Sequence, residues 1–354
     1  MKRVVQESCY LFPQLPEELE GRECLLRVPY EWHDNLRAVN KRWKEVVNSP
    51  QFYQDRKRLA ILEPYICLVQ DSNQVNVYHP SQNRCRSLPL PPIHDEFGVH
   101  PYRSECISVN YNLIFMGGSV WINRNNLPER HLVAMVVMYN FSRKQWLRGA
   151  DMPIARTHFA CSVSPEGLVY IAGGESFEIM AEREATVYHT EEDRREILPV
   201  MKQGERRCSG AFLEGKFFVI THEAEQIFDV KTRKWTFLDD LWRCSEFLDR
   251  NLVTAHGRLY LFEGQSVMEY NCEENVLAWV GFTPRRFILI ECLAVCGNGE
   301  KVFVYGWDKR LKQVCYIYSL PTKETSHELE LRLQHEHEHE LELEHEYRLR
   351  PARG

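Results

Sequence analysis

The sequence predicts a mainly β protein, a β-propeller built from short four-stranded sheets, with a small α-helical unit in front of it. Three observations predict this. Aromatic residues at 78, 139, 188, 228, 270 and 318 recur at intervals of 40 to 61 residues, the period of propeller blades and not of solenoid turns. Between them lie short β-type runs such as FACSVS, LVYIAGG, EATVYHT and REILPV, separated by turn residues. Composition also changes twice: residues 15–58 are charged with helical spacing, residues 65–320 are strand-like, and residues 324–354 are almost entirely Glu, Leu, His and Arg.

The helical unit follows an N-terminal extension, residues 1–14. Pro16 suits a first helical turn, where its missing N–H costs nothing, and Glu17, Glu18 and Glu20 complement the positive end of the helix. A first helix is expected to run to about Val28 and to stop at Pro29. Asp34 or Asn35 can cap a second, in which Leu36, Val39, Trp43, Val46 and Val47 recur at helical spacing. A unit this small can hardly enclose its own core and needs a neighbouring domain or a partner. The stretch resembles an F-box: Leu15-Pro16 at its start, Cys24-Leu25-Leu26 and Val28-Pro29 closing helix one, then Leu36, Val39 and Trp43, followed by Ser49-Pro50 and Phe52. Gly21 inside helix one and Asn40, where F-boxes commonly carry Cys, depart from the pattern. The resemblance implies that Leu15, Pro16, Leu25, Val28, Pro29, Leu36, Val39 and Trp43 contact the Skp-type linker of a cullin-RING ubiquitin ligase. The alternative is that they are ordinary core of a helical cap.

In the central region Gly117-Gly118 follows NLIF and Gly173-Gly174 follows LVYIA, while Tyr139 and Trp146 bracket six residues, as do Phe228 and Trp235. Glycines let the chain leave a strand sharply, and the aromatics of the third and fourth strands can bury against adjacent sheets. Tyr270 and Trp279 enclose eight residues, Thr221-His222 and Glu263-Gly264 stand at double-glycine positions, and Cys85 and Arg195 stand at tryptophan positions. These marks resemble the kelch repeat. Six blades are favoured and five possible, the first unit lacking a first strand and the last a fourth. An F-box ahead of kelch repeats resembles the plant F-box/kelch-repeat family, from Leu15 to Leu320. That resemblance implies a substrate receptor of an SCF-type ubiquitin ligase, whose target is a protein such as a metabolic enzyme or a signalling regulator. A kelch interaction scaffold working without the ligase is the alternative.

In a kelch propeller the loops leading into each blade share a face with those joining its middle strands. Here the lead-in segments carry Arg103, Arg156, Arg206, Arg207, Arg285 and Arg286. Converging at the axis they would form a positive mouth for carboxylates or phosphates, which guanidinium groups bind bidentately; alternatively they tie blades together. SVWINRNNLPERH, read as a long loop with Trp121, Arg124 and Arg130, has the composition of an interaction hot spot.

A net charge of -6 gives no reason to expect nucleic acid. Polar Gln6, Glu7 and Ser8 interrupt any signal-like apolar run, and no stretch approaches the length that spans a bilayer. Twelve cysteines without a C-x-x-C pair point to mostly buried free thiols in a reducing compartment, cytosol or nucleus. Enzymatic readings are weak. GAFLEGKF, residues 210–217, lacks the Ser or Thr of a P-loop and is followed by strand-like FFVIT, so Gly215-Lys216 reads as a hairpin turn. No ligand spacing identifies a propeller copper oxidase. His335, Glu336 and His339 match H-E-x-x-H within the low-complexity tail, where composition generates the match. No cofactor, metal or catalytic residue is expected.

Overall fold

The structure is a computed structural model and describes residues 22–320 except 60, 62–65, 70–74, 80–83, 93–100, 125–126, 178–179, 222–223, 239–249, 264–265, 273, 283–286, 297–300 and 309–312. The tail with its H-E-x-x-H match, the N-terminal extension, Leu15, Pro16 and Gly21 therefore lie outside the described residues.

Helix α1 (Arg22–Arg27) stops before Pro29, whose extended backbone leads into a 3-10 turn, Tyr30–Trp32. The expected single second helix is two, α2 (His33–Val39) and α3 (Lys41–Asn48). Asn40 breaks it: its backbone is extended, and its side-chain oxygen accepts the Trp43 N–H at 2.9 Å, capping α3. The cap is thus Asn40, not Asp34 or Asn35, and the departure from the F-box pattern has a structural reason. Helix α4 (Pro50–Arg58) completes the unit.

Leu25, Leu26, Tyr30, Leu36, Val47, Phe52 and Tyr53 form its core, with Tyr111 and Phe141 packed against them. At the centre is His33, fully buried, edge-on to Tyr30 and Phe52 and hydrogen-bonded from Nε2 to the Val28 carbonyl at 3.0 Å. Burial, with Arg56, Arg37 and Lys144 nearby, pushes its pKa down to about 4. Buried Arg56 donates to the carbonyls of Leu26 and Val28, holding the chain between α1 and the 3-10 turn.

The strands follow as meanders. The first sheet is β1 (Ile66–Val69), β2 (Val75–His79) and β3 (Arg84–Ser87); the second is β4 (Glu105–Val109), β5 (Asn112–Met116), β8 (Val136–Asn140) and β9 (Gln145–Gly149). Between β5 and β8 lies a two-stranded ribbon, β6 (Ser119–Arg124) and β7 (Leu127–Leu132), where a loop is expected from the sequence. Within it Ser119 and Val120 are buried while Trp121 is exposed. The next sheets are β10 (Ala160–Val163), β11 (Leu168–Ala172), β12 (Ala185–His189) and β13 (Arg194–Ile197); β14 (Ser209–Leu213), β15 (Lys216–Ile220), β16 (Glu225–Asp229) and β17 (Lys234–Phe237); and β18 (Arg250–Ala255), β19 (Arg258–Glu263), β20 (Ser266–Asn271) and β21 (Val276–Phe282). A three-stranded sheet, β22 (Phe287–Cys296), β23 (Lys301–Asp308) and β24 (Gln313–Ser319), ends the series. Apart from the β6–β7 ribbon, the described residues thus hold four four-stranded and two three-stranded sheets. Tyr78 pairs with Cys85 in the first sheet as Tyr139 pairs with Trp146 in the second, so the three described strands of the first sheet match the second to fourth of a blade; Tyr318 lies on the last described strand of the final sheet, whose strands match a first to third.

By contacts the chain divides into two compact units, one of Met1–His100, Ser108–Phe115 and Val136–Gly149, the other of Pro101–Ile107, Met116–Met135 and Ala150–Gly354. In the first, the helices lean on the second sheet: the Tyr30 hydroxyl donates to the Phe141 carbonyl, Arg37 donates to the Ser142 carbonyl at 2.9 Å, and Lys144 pairs with Asp34. In the second, the first strands pack in succession, β10 on β14, β14 on β18 and β18 on β22, as propeller blades do around an axis. Tyr170, Phe212, Phe217, Phe228 and Trp235 fill the space between two such sheets.

The tryptophan positions have a common task. Trp146 donates from Nε1 to the Pro89 carbonyl at 2.8 Å, and Trp235 to the Pro199 carbonyl at 2.7 Å, each acceptor lying just past the last strand of the preceding sheet. Arg195 does the same with a guanidinium: Nε donates to the Asp151 carbonyl at 2.9 Å and Nη2 to the Ala150 carbonyl at 3.0 Å, while the group lies 4.4 Å over the Tyr188 ring. Leu277, not Trp279, is opposite Tyr270, so the longer spacing in that sheet displaces the tryptophan from its slot. As expected, Glu214-Gly215 form a tight turn between β14 and β15, both at positive φ. The expectation of mostly buried thiols is not met at Cys24, Cys85 and Cys106, which are exposed.

Candidate functional site

Two surfaces are candidates, one on each unit. On the helical unit the residues expected at a linker interface divide by burial. Leu25 (1% exposed) and Leu36 (8%) face inward onto Val47 and Phe52, so their assignment as contact residues gives way to a core role: amphipathic helices this short must spend part of their apolar face on one another. Val28 and Trp43 are half-buried, Pro29 is exposed, and Val39 is 56% exposed. Trp32, which the sequence reading passed over, is 52% exposed. It caps the N-terminus of α2, seven residues before Val39 at the other end of that helix, close to the two-turn spacing of one helix face. That i, i+7 spacing was its available signal.

The second surface surrounds the double glycines. Gly117 and Gly118 adopt φ of 62° and 97°, Gly173 and Gly174 of 67° and 96°. A Cβ at Gly174 would stand 2.7 Å from the Thr157 carbonyl oxygen, so only glycine allows the approach. Their N–H groups tie successive lead-in loops together: Gly118 donates to the Arg156 carbonyl and Gly174 to the Glu205 carbonyl, both at 2.9 Å.

Arg156 belongs to this scaffold. Its side chain is 0% exposed and donates to the Gly173 and Glu184 carbonyls and to the Glu184 carboxylate at 2.9 Å. Its reading as a substrate-binding residue is therefore corrected: both terminal nitrogens of this buried guanidinium are spent on its own blade, Nη1 on the Gly173 and Glu184 carbonyls and Nη2 on the Glu184 carboxylate. Where the later sheets lose the double glycine, Arg250 plays a similar part, donating to the Thr221 carbonyl at 2.8 Å and pairing with Glu225 and Glu263, all three side chains buried.

Arg206 and Arg207 are exposed, and Arg103 is half-exposed with its guanidinium 5.2 Å over the Tyr102 ring. Arg103 and Arg207 stand two residues before β4 and β14, and His158 two residues before β10, an equivalence of position that the sequence reading, attending to arginine alone, missed. Burial, then Arg103 and Arg207, push His158 down to about 4, so it is neutral at pH 7. Arg130 pairs with Glu175, and Trp121 is 61% exposed. Arg124 lies on β6, its side chain outside the description, and Arg285 and Arg286 lie outside the described residues.

Among the described residues no group of three or more His, Cys, Asp or Glu could hold a metal ion, and no helix is long and apolar enough to cross a membrane. No protein-family model matches the chain. Curated proteins of Arabidopsis thaliana do: F-box/kelch-repeat protein At1g16250 is 29% identical over 263 residues, 71% of this chain and 68% of that protein. F-box/kelch-repeat protein At1g80440 is 28% identical over 336 residues, covering 84% and 90%, and F-box/kelch-repeat protein SKIP20 is 24% identical over 339, covering 76% and 79%. Agreement of that extent, on a mainly β chain whose blades carry double glycines and aromatic ties behind a short helical region, shows a similarity to the plant F-box/kelch-repeat proteins and supports that family for this chain.

Proposed function

We propose that the chain is a non-catalytic substrate-recognition subunit of an SCF-type ubiquitin ligase, in the cytosol or nucleus. The helical unit docks to a Skp-type linker, and the blades hold the protein to be ubiquitinated. The observation that carries this reading is the division of the helical unit into an inner side and an outer apolar stripe. Trp32 and Val39 stay more than half exposed although the unit has buried apolar positions. Large apolar groups aligned on one face favour a partner that removes them from water. Similarity to F-box/kelch-repeat proteins supports it, as those relatives carry both parts by name.

The test is binding of the purified full chain to a Skp-type linker, beside a Val39→Asp/Trp43→Ala variant whose fold is checked by circular dichroism. Leu25 and Leu36 are unsuitable, since changing them would empty the core. Wild-type binding weakened by at least about tenfold in the variant, roughly 1.4 kcal/mol, is the expected result. A folded wild-type chain that does not bind would leave the ligase-independent scaffold.

A further inference from the structure

We propose that the double-glycine face of the second unit seats a short acidic peptide segment of the target carrying an aromatic or large aliphatic anchor, with Tyr102, Trp121 and Phe177 as the apolar platform and Arg103, Arg206 and Arg207 as the charge contacts. This deepens the receptor reading and rests on it.

The platform is linked by backbone pairing and one ion pair. Tyr102 and Ser119 exchange hydrogen bonds of 2.7 and 2.8 Å, and Trp121 is two residues along β6 on the same side as Ser119. Arg130 is directly opposite Trp121 and pairs with Glu175, and Glu175 bridges to both Thr157 and Ala181. The segment from Glu175 to Ala181 carries Phe177, 77% exposed, and Met180, 60% exposed. Tyr102 (57%) and Trp121 (61%) are exposed to a similar degree. Aromatics and arginine are the residue types that dominate binding hot spots, and four large exposed apolar side chains on linked segments exceed the scatter of single ones on an ordinary surface.

The exposed charge on this face is not taken up by ion pairs among the described residues, although the Glu105 carboxyl lies in the field of Arg103. Glu175 is already occupied by Arg130. Arg103, Arg206 and Arg207 have no carboxylate within ion-pair distance among the described residues, on a chain whose net charge is -6. His158, between Arg103 and Arg207 in the succession of lead-in loops, stays neutral and adds no repulsion. Carboxylates satisfy such guanidinium groups bidentately. Nucleic acid fits less well, because three cations do not make the extended basic surface that a phosphate backbone requires.

The experiment is selection of a random peptide display library on the immobilised full chain, then on an Arg103→Glu/Arg207→Glu variant and on Trp121→Ala. Folding of both variants is checked by circular dichroism. Enrichment of sequences rich in Asp and Glu with an aromatic or large aliphatic residue is expected, with at least tenfold weaker binding of the enriched peptide to either variant. No enrichment, enrichment without acidic excess, equal binding to the variants, or displacement of the peptide by a random single-stranded oligonucleotide would overturn the proposal. Linker binding is measured on the same samples. Peptide binding without linker binding would keep this surface and remove the receptor reading; linker binding without peptide binding would do the reverse.

Discussion

Replacing Arg195 with alanine removes a tie that in two other sheets is made by tryptophan. The loss has three parts: donation to the Ala150 carbonyl, donation to the Asp151 carbonyl, and the contact over Tyr188 at 4.4 Å. Hydrogen bonds from a charged donor contribute at least ~1 kcal/mol each at a half-buried site and the cation–π contact about 1, giving a loss of about 3 kcal/mol. For a chain of this size that lowers the melting temperature by roughly 4 °C. Thermal unfolding followed in the strand band of circular dichroism, with urea midpoints as a second measure, reads the change. Arg195→Trp supplies a ring for Tyr188 and an N–H for the same carbonyls, as Trp146 and Trp235 do for theirs, and is expected within about 1 kcal/mol of wild type, like other shape-tolerated core swaps. Arg195→Ala as stable as wild type, or Arg195→Trp as unstable as Arg195→Ala, would refute the equivalence of the two side chains.

Asn40→Ala removes the cap of α3 and should destabilise the helical unit by about 1 kcal/mol, seen as earlier loss of the helical signal in urea, whereas Asn40→Asp should retain most of it. Stability should also fall with acid through His33. Its folded pKa of about 4 lies below the unfolded value near 6.5, so between these the unfolded chain takes up a proton that the folded one refuses. Up to roughly 3 kcal/mol is then present above pH ~6.5 and lost as pH falls to ~4; urea midpoints that do not change over that window in the wild type would contradict it. Gly174→Ala should cost more than Gly215→Ala. Both glycines have positive φ, but the added methyl meets the Thr157 carbonyl in the first and nothing within 4 Å in the second, so about 1 kcal/mol is expected at Gly215 and a larger loss at Gly174 by the same melting assay.

Much of this protein is legible in its sequence because blades are local. A meander of four strands pairs residues close in the chain, so period-two runs and turn residues placed β10 to β13 and the Glu214-Gly215 hairpin without knowledge of anything distant. The helical unit was legible as a unit for the same reason, through its Leu and Val spacing. What a side chain does across the chain was not. Arginine before a strand reads alike at 103, 156 and 207, yet Arg156 is fully buried on Glu184 while Arg207 is exposed. The difference depends on Glu184, 28 residues away, and on how closely Gly173 lets the backbones approach. Leu25 and Val39 likewise share a helical pattern, and only packing with Val47 and Phe52 turned one inward and left the other in water. The sequence by itself determined the repeat, most of its strands and the helical unit, though not the break at Asn40 or the β6–β7 ribbon, since hydrophobic period and turn chemistry act over a few residues. Tertiary structure alone decided which cations are spent inside the fold and which remain for a partner, since burial is a property of surfaces that meet from distant parts of the chain.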